Sequence, residues 1–200
     1  FVTVDGENSK DFDDAVYAEV NNEKIKILVA IADVSFFVKK GDPIDVEARK
    51  RGNSFYFPDR VIPMLPEILS NNICSLIPNQ IRASLVCEII LQNTKVIKYK
   101  FHRAKILSKA RLTYKEVDEI HKNNSKNEIS KLVDNLFKAL ETLKKISERR
   151  GKIEFKVKEY EVNFTNDKEF KFEEKENYKS NRLIEEFMVL ANNVVATHLN

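Results

Sequence analysis

The chain opens in alternation. Phe1 to Val4 is a β-branched and aromatic run, Ala15-Val-Tyr-Ala begins another, and a third apolar run follows, so strands are predicted near residues 2 to 5, 13 to 20 and 25 to 33. A polar turn at Asn21 to Lys24 joins the second and third. A further strand pair is predicted over Ser84 to Leu91 and Val96 to Leu107, turning at Asn93-Thr94. Between the pairs, Asp42 followed by Pro43, with Asp45 three residues on, reads as the cap of a short helix ending near Gly52.

After Tyr114 the period lengthens. Ile129, Leu132, Val133, Leu136, Leu140, Leu143 and Ile146 recur at helical spacing, and Gly151 is placed to end that helix. A shorter helix around Lys115 to His121 precedes it, across the polar stretch Asn123 to Asn127. Alternation returns at Ile153, Phe155 and Val157 and again at Phe170 and Phe172, predicting a hairpin. A last helix from about Asn181 is expected to bury Leu183, Ile184, Phe187, Ala191, Val194 and Val195. The sum is an α+β fold, a mixed and mainly antiparallel sheet packed with helices, without internal repeats.

Composition sets outer bounds. Two hundred residues with 42% hydrophobic content can bury one core. No apolar stretch is long enough to span a bilayer and no start resembles a signal peptide, so a soluble cytoplasmic protein without a membrane partner is expected. Cys74 and Cys87 lie in apolar surroundings without metal-ligand spacing and read as buried reduced thiols. His102, His121 and His198 are scattered and read as packing or surface residues.

The chemistry gathers near the start. Asp5, Asp11, Asp13 and Asp14 fall within ten residues, and ionised carboxylates held that close must take up protons or share a multivalent cation. Hard oxygen donors with no nearby Cys or His favour Mg²⁺ or Mn²⁺ over Zn²⁺. Asp5 ends a strand, whereas Asp13 and Asp14 enter the next one with side chains on opposite faces. One of that pair can ligate metal while the other orients substrate or water. An EF-hand is excluded, because Asp11-Phe-Asp-Asp is followed by neither the Gly nor the Glu that its loop requires. A solvated acidic loop is the alternative that 32% charged residues favour, and the bracketing strands weigh against it.

The net charge of +3 hides an asymmetry. Residues 1–60 hold nine Lys/Arg against twelve Asp/Glu, a balance of −3, while residues 95–182 hold 24 against 15, a balance of +9. A basic segment beside an acidic metal pocket suits a polyanion held by its backbone while its scissile phosphate meets the metals. For any single lysine, a solvated helix face is the simpler reading.

Longer words then align. The run T-V-D-G-E-N-S-K-D-F-D-D-A-V-Y, I-L-V-A-I-A-D-V from Ile27, Y-F-P-D-R-V-I-P-M-L-P from Tyr56 and L-S-N-N-I-C-S-L from Leu69 resemble the catalytic (RNB) domain of the ribonuclease II and ribonuclease R family. The words A-R-L-T-Y at Ala110 and N-R-L-I-E-E-F-M at Asn181 extend the resemblance to nearly the whole chain, and P-D-R-V-I-P-M-L-P is closer to the ribonuclease R branch. It implies metal-dependent hydrolysis of single-stranded RNA from its 3′ end, releasing nucleoside 5′-monophosphates. Asp5, Asp11 and Asp14 would bind two metals, Asp13 would position substrate or water, Tyr56, Tyr114 and Phe155 would stack bases, and Glu185 would contact ribose. No obligate protein partner is implied.

The family's catalytic domain is longer and is flanked by cold-shock-like and S1-type RNA-binding domains. Residues 1–200 are therefore expected to be part of an RNB domain, lacking downstream arginines and inactive by itself. Without the resemblance the aromatics read as core packing, and Glu185 and Glu186 as capping an exposed helix face. Two other classes stay open: a catalytically inactive RNA-binding scaffold of the same fold, and a phosphatase or sugar-phosphate enzyme with a carboxylate metal site.

Overall fold

The computed structural model describes residues 1–57, 60–123, 127–153, 158–164, 170–174 and 176–200. The chain runs β1 (Thr3–Asp5), β2 (Asp14–Asn21), β3 (Lys24–Ala32), α1 (Val34–Phe37), α2 (Pro43–Arg51), β4 (Phe55–Tyr56) and β5 (Val61–Ile62). After a π-helical turn at Leu69–Ile73 come β6 (Ile81–Gln92), β7 (Lys95–Leu107), β8 (Arg111–Thr113), α3 (Tyr114–Asn123) and α4 (Glu128–Arg149). β9 (Tyr160–Phe164), β10 (Phe170–Glu174) and α5 (Lys179–Leu199) complete it.

The centre is an antiparallel sheet in the order β2-β3-β6-β7. Period-two alternation gives each face its own core. Val16, Ile27, Val29, Ile89 and Leu91 meet the helices, where Val133, Leu136 and Leu140 of α4 and Leu183 and Phe187 of α5 are buried. Ala15, Ala30, Val86 and Ile106 point the other way, onto Phe12, Leu69, Cys74 and Leu76. A register slip of one residue would exchange these two sets, so burial fixes the pairing. Asn93 and Thr94 take up φ 49° and 66° in the tight β6–β7 turn, and Thr94 Oγ1 is held by Arg149 Nη1 at 2.5 Å.

Polar caps lock the helices to one another. Thr113 and Glu116 form a reciprocal capping box on α3, with Glu116 Oε2 accepting from Thr113 N (2.7 Å) and Thr113 Oγ1 accepting from Glu116 N (3.1 Å). The buried Asp118 of α3 accepts from the amides of Lys179 (2.9 Å) and Ser180 (3.0 Å), satisfying donors that the start of α5 would otherwise leave open. Asn127 Oδ1 caps α4 through Ser130 N at 2.8 Å, and beyond its other end Gly151 adopts φ 79°.

Three expectations are corrected. Asp42 occupies the cap position of α2, but its carboxylate accepts from Lys39 N and Asp45 accepts from Gly41 N, so both acids brace the preceding turn instead of the helix amides. The hairpin that contains β10 is made with Tyr160–Phe164; of the run expected to be its partner, Ile153 is exposed, and Phe155 and Val157 lie outside the described residues. Val195 is 38% exposed, since it stands one step round the helix from the buried Val194. Cys74 and Cys87 are buried and unbridged, and burial pushes the Cys87 thiol up to about 11. No helix among the described residues is long and apolar enough to cross a membrane.

Candidate active site

Strand geometry delivers the acids to one place. Val2 and Val16 exchange both backbone hydrogen bonds (3.1 and 2.9 Å), and continuing that antiparallel register brings Asp5 level with Asp13 beside Asp14. β1 then leaves β2 to pair in parallel with β8, matching Thr3 to Arg111 and Asp5 to Thr113. Asp5 stands at this fork. Asp5, Asp11 and Asp14 are half-buried and Asp13 is exposed.

The connecting loop is pinned along its length. Phe12 is buried, its N–H donates to Ser75 Oγ (3.0 Å) and its carbonyl accepts from Leu76 N (2.9 Å). Ser75 Oγ donates in turn to Lys10 O (2.9 Å), and Ala32 N donates to Asp13 O (2.9 Å). On the other side Arg111 Nη2 donates to the carbonyls of Gly6 and Glu7, each at 2.6 Å. Ser75→Ala removes two of these bonds in a buried position and is expected to cost about 1–3 kcal/mol, measured by denaturant unfolding against the parent. An unchanged midpoint would show that Leu76 and Ala32 suffice to hold the loop.

Electrostatics set the acids apart from ordinary surface carboxylates. Burial, and then the charge of Asp14, push Asp5 up to about 7, with Arg111 pulling the other way. Burial and Asp13 push Asp14 up to about 6, while Asp13, open to solvent on one side, is raised by the hydration that the surrounding protein displaces and by the charge of Asp11. One oxygen of Asp5, Oδ2, is buried without a hydrogen-bond partner. These are the signs of negative charge without a counter-ion. Among the described residues, no three His, Cys, Asp or Glu side chains are already arranged to hold an ion.

The other expected site residues divide. Tyr56, 68% exposed on β4, donates its hydroxyl to Asp11 Oδ2 at 2.9 Å, which raises the phenol above its usual range. Tyr114 is half-buried against the helical core, and the charges of Asp5 and Asp14 reach it, so both tyrosines stand near the acids. Glu185 is exposed on α5 and paired with Lys152 at 2.7 Å. Glu186 does not cap an exposed face: it is buried, accepts from Ser147 Oγ (2.5 Å) and pairs with Lys152 (2.8 Å), because α5 turns it toward α4. Phe155 lies outside the described residues. Sequence reasoning missed Ser75 and Arg111 as the residues that hold the loop. Both sit inside the words L-S-N-N-I-C-S-L and A-R-L-T-Y, but only tertiary contacts, β1 with β8 for Arg111 and the Phe12 and Lys10 backbone for Ser75, reveal what they touch.

The RNB domain model matches residues 1–200. The chain belongs to the RNB domain family. This RNB domain is 42% identical over 202 residues to ribonuclease R of Escherichia coli (strain K12), covering 96% of the chain and 24% of the relative. It is 38% identical over 205 residues to ribonuclease R of Mycoplasmopsis pulmonis, covering 100% and 28%. The chain thus spans about a quarter of the length of the curated relatives it matches. Mycoplasma genitalium RNase R, solved in complex with ribose methylated single-stranded RNA, superimposes with a TM-score of 0.93 at 35% identity, covering all of this chain and 32% of that one. A yeast pseudonuclease shares the fold of the RNB domain at a TM-score of 0.63 and 18% identity, over 77% of this chain and 18% of its own.

Proposed function

We propose that this RNB domain is the catalytic part of a 3′-to-5′ exoribonuclease that hydrolyses single-stranded RNA to nucleoside 5′-monophosphates. The observation that carries the reading is the set of mutually raised carboxylates around an unpartnered Asp5 oxygen, in a chain similar to ribonuclease R throughout. Asp5, Asp11 and Asp14 would hold Mg²⁺ or Mn²⁺, whose hard-oxygen preference suits an all-carboxylate donor set. Bound at these oxygens, divalent ions supply an acidified water and neutralise the charge that develops on phosphate and leaving oxygen.

Asp13, exposed beside the ligands, orients the attacking water or the scissile linkage. Tyr56 offers an open ring for stacking a base, with its hydroxyl tied to Asp11, so substrate placement and the acid loop share one contact. Tyr114 and Phe155 complete the stack, and Glu185 contacts a ribose hydroxyl on exchanging its bond with Lys152. Tyr56→Ala is expected to weaken RNA binding by about tenfold, the loss of one stacked base, with Tyr56→Phe retaining most of it. Fluorescence anisotropy with a labelled oligonucleotide measures both, and equal losses would assign Tyr56 to holding Asp11 alone.

The decisive experiment incubates a 5′-labelled single-stranded RNA and Mg²⁺ with the protein that carries this chain. A ladder descending from the 3′ end with mononucleotide release supports the exonuclease. Bound but intact RNA supports the scaffold reading, which the shared fold of the yeast pseudonuclease keeps in play and the retention of all four aspartates opposes. Turnover of small phosphate esters with RNA ignored would sink both.

A further inference from the structure

At the end of the sheet away from the acids, its outer face forms a cationic trough. Strand alternation places Glu19 of β2, Lys24 and Lys26 of β3, Ile90 and Gln92 of β6, and Lys98 and Lys100 of β7 on that one face. An open depression of about 640 Å³ is lined by Lys24, Lys26, Ile90 and Gln92, together with Glu19, which stands opposite Lys26, and Glu23 in the β2–β3 turn. A second, of about 140 Å³, shares Ile90 and is walled by Lys98 and Lys100. Neither contains the aspartates of the candidate active site.

Lysines outnumber acids in the lining, Lys24, Lys26, Lys98 and Lys100 against Glu19, Glu23 and Glu88. β7 carries Lys95, Lys98, Lys100, His102, Arg103 and Lys105 and no acidic residue. Glu88, the acid between the two banks, is already engaged by Lys26 (3.3 Å) and His102 (3.0 Å), and Arg103 is taken by the buried Asp33 (2.8 Å). Among the described residues, no ion pair engages Lys24, Lys98 or Lys100. Lysines on an edge strand also discourage pairing with a foreign sheet. That role asks for charge on β7 alone and leaves Lys24 on the facing bank unexplained, while Lys26 is tied to Glu88.

We propose that this trough binds the sugar-phosphate backbone of the RNA upstream of its 3′ end, Lys98 and Lys100 from one bank and Lys24 and Lys26 from the other. The proposal rests on the RNA-degrading reading above. Alternate residues of a strand stand roughly 6.6–6.8 Å apart, close to the step between successive phosphates of an extended single strand. Lysine heads contact phosphate as point charges and carry no base information, so the grip is independent of sequence. β2 spans the distance from Asp14 to Asn21, roughly 20 Å at strand rise, so only an RNA longer than the active site fills reaches the trough.

The test measures binding of a long single-stranded RNA across a salt series, in the protein that carries this chain. Lys98→Gln combined with Lys100→Gln is expected to weaken binding several-fold and to flatten the slope of log K against log salt by about 0.7 for each lysine removed. Lys98→Arg with Lys100→Arg should keep both affinity and slope, and single-stranded DNA of equal length should show the same loss with the Gln pair. Cleavage of a short oligonucleotide that fills only the active site should be unchanged. A slope unaltered by the Gln pair overturns the trough, as does an equal loss in the Arg pair. If the parent fails to cleave the short oligonucleotide, the hydrolase reading falls instead, and the salt slope still decides the trough.

Discussion

Replacing Asp13 by Asn is expected to cut RNA turnover by on the order of 10²- to 10³-fold while RNA affinity stays within about twofold. The expectation follows from position. Asp14 is the first residue of β2 and half-buried on the side of Val16, whereas Asp13 lies exposed on the side of Ala15, its backbone carbonyl held by Ala32 N. The amide keeps the shape and removes the charge, so loop and stacking contacts persist and only the step that needs a carboxylate is lost. Single-turnover cleavage beside filter binding separates the two. Parallel losses in cleavage and affinity would make Asp13 a binding group.

The second large effect concerns stability and cations together. Asp5 and Asp14 are raised to about 7 and about 6 in the folded chain, against about 3.9 for an unfolded aspartate. Both shifts are upward, so the folded chain retains protons that the unfolded chain has released. Their stabilising contribution is complete below pH of about 4 and is lost as pH rises through about 6 and then about 7. In chelator, Tm is therefore expected to fall between pH of about 5 and about 8, at roughly 2–4 °C for each kcal/mol lost in a domain of this size. Mg²⁺ should restore it at the higher pH and do little at the lower, where protonated carboxylates do not ligate. Asp5→Asn should raise Tm in chelator at the higher pH and abolish the Mg²⁺ response, stabilising the fold while ending catalysis. Calorimetry at both pH values, with and without Mg²⁺, measures this; a Tm insensitive to Asp5→Asn would remove Asp5 from the ligand set.

Much of the architecture was legible because it is periodic. The two-residue period located β2, β3, β6 and β7, and the heptad-like run from Ile129 to Ile146 located α4, since burial on one face writes itself into sequence. The acids were legible as a cluster, and their opposite-face argument matches the division of Ala15 and Val16 between the two cores. Contacts between distant segments left no such trace. Nothing local in Arg111-Leu-Thr announces a parallel partner at Thr3–Asp5, nothing in Cys74-Ser-Leu announces that Ser75 grips Phe12 and Lys10, and nothing around Asp118 announces that it accepts from the first amides of α5. The short β4–β5 pair that presents Tyr56 is two residues per strand, below the length at which alternation can be read.

The pairing of β1 with β8 also governs when the acids become a site. Asp5 belongs to the opening residues, yet the strand beside it and the guanidinium that clasps Gly6 lie more than a hundred positions later, separated by 105 residues in the Arg111 contact. During synthesis Asp5 therefore emerges about a hundred residues ahead of Arg111, and the carboxylates stay unassembled until Arg111 has left the ribosome. Closing so long a span is entropically demanding and belongs late in folding. A nascent chain stalled short of that point would carry every acidic residue and no competent centre.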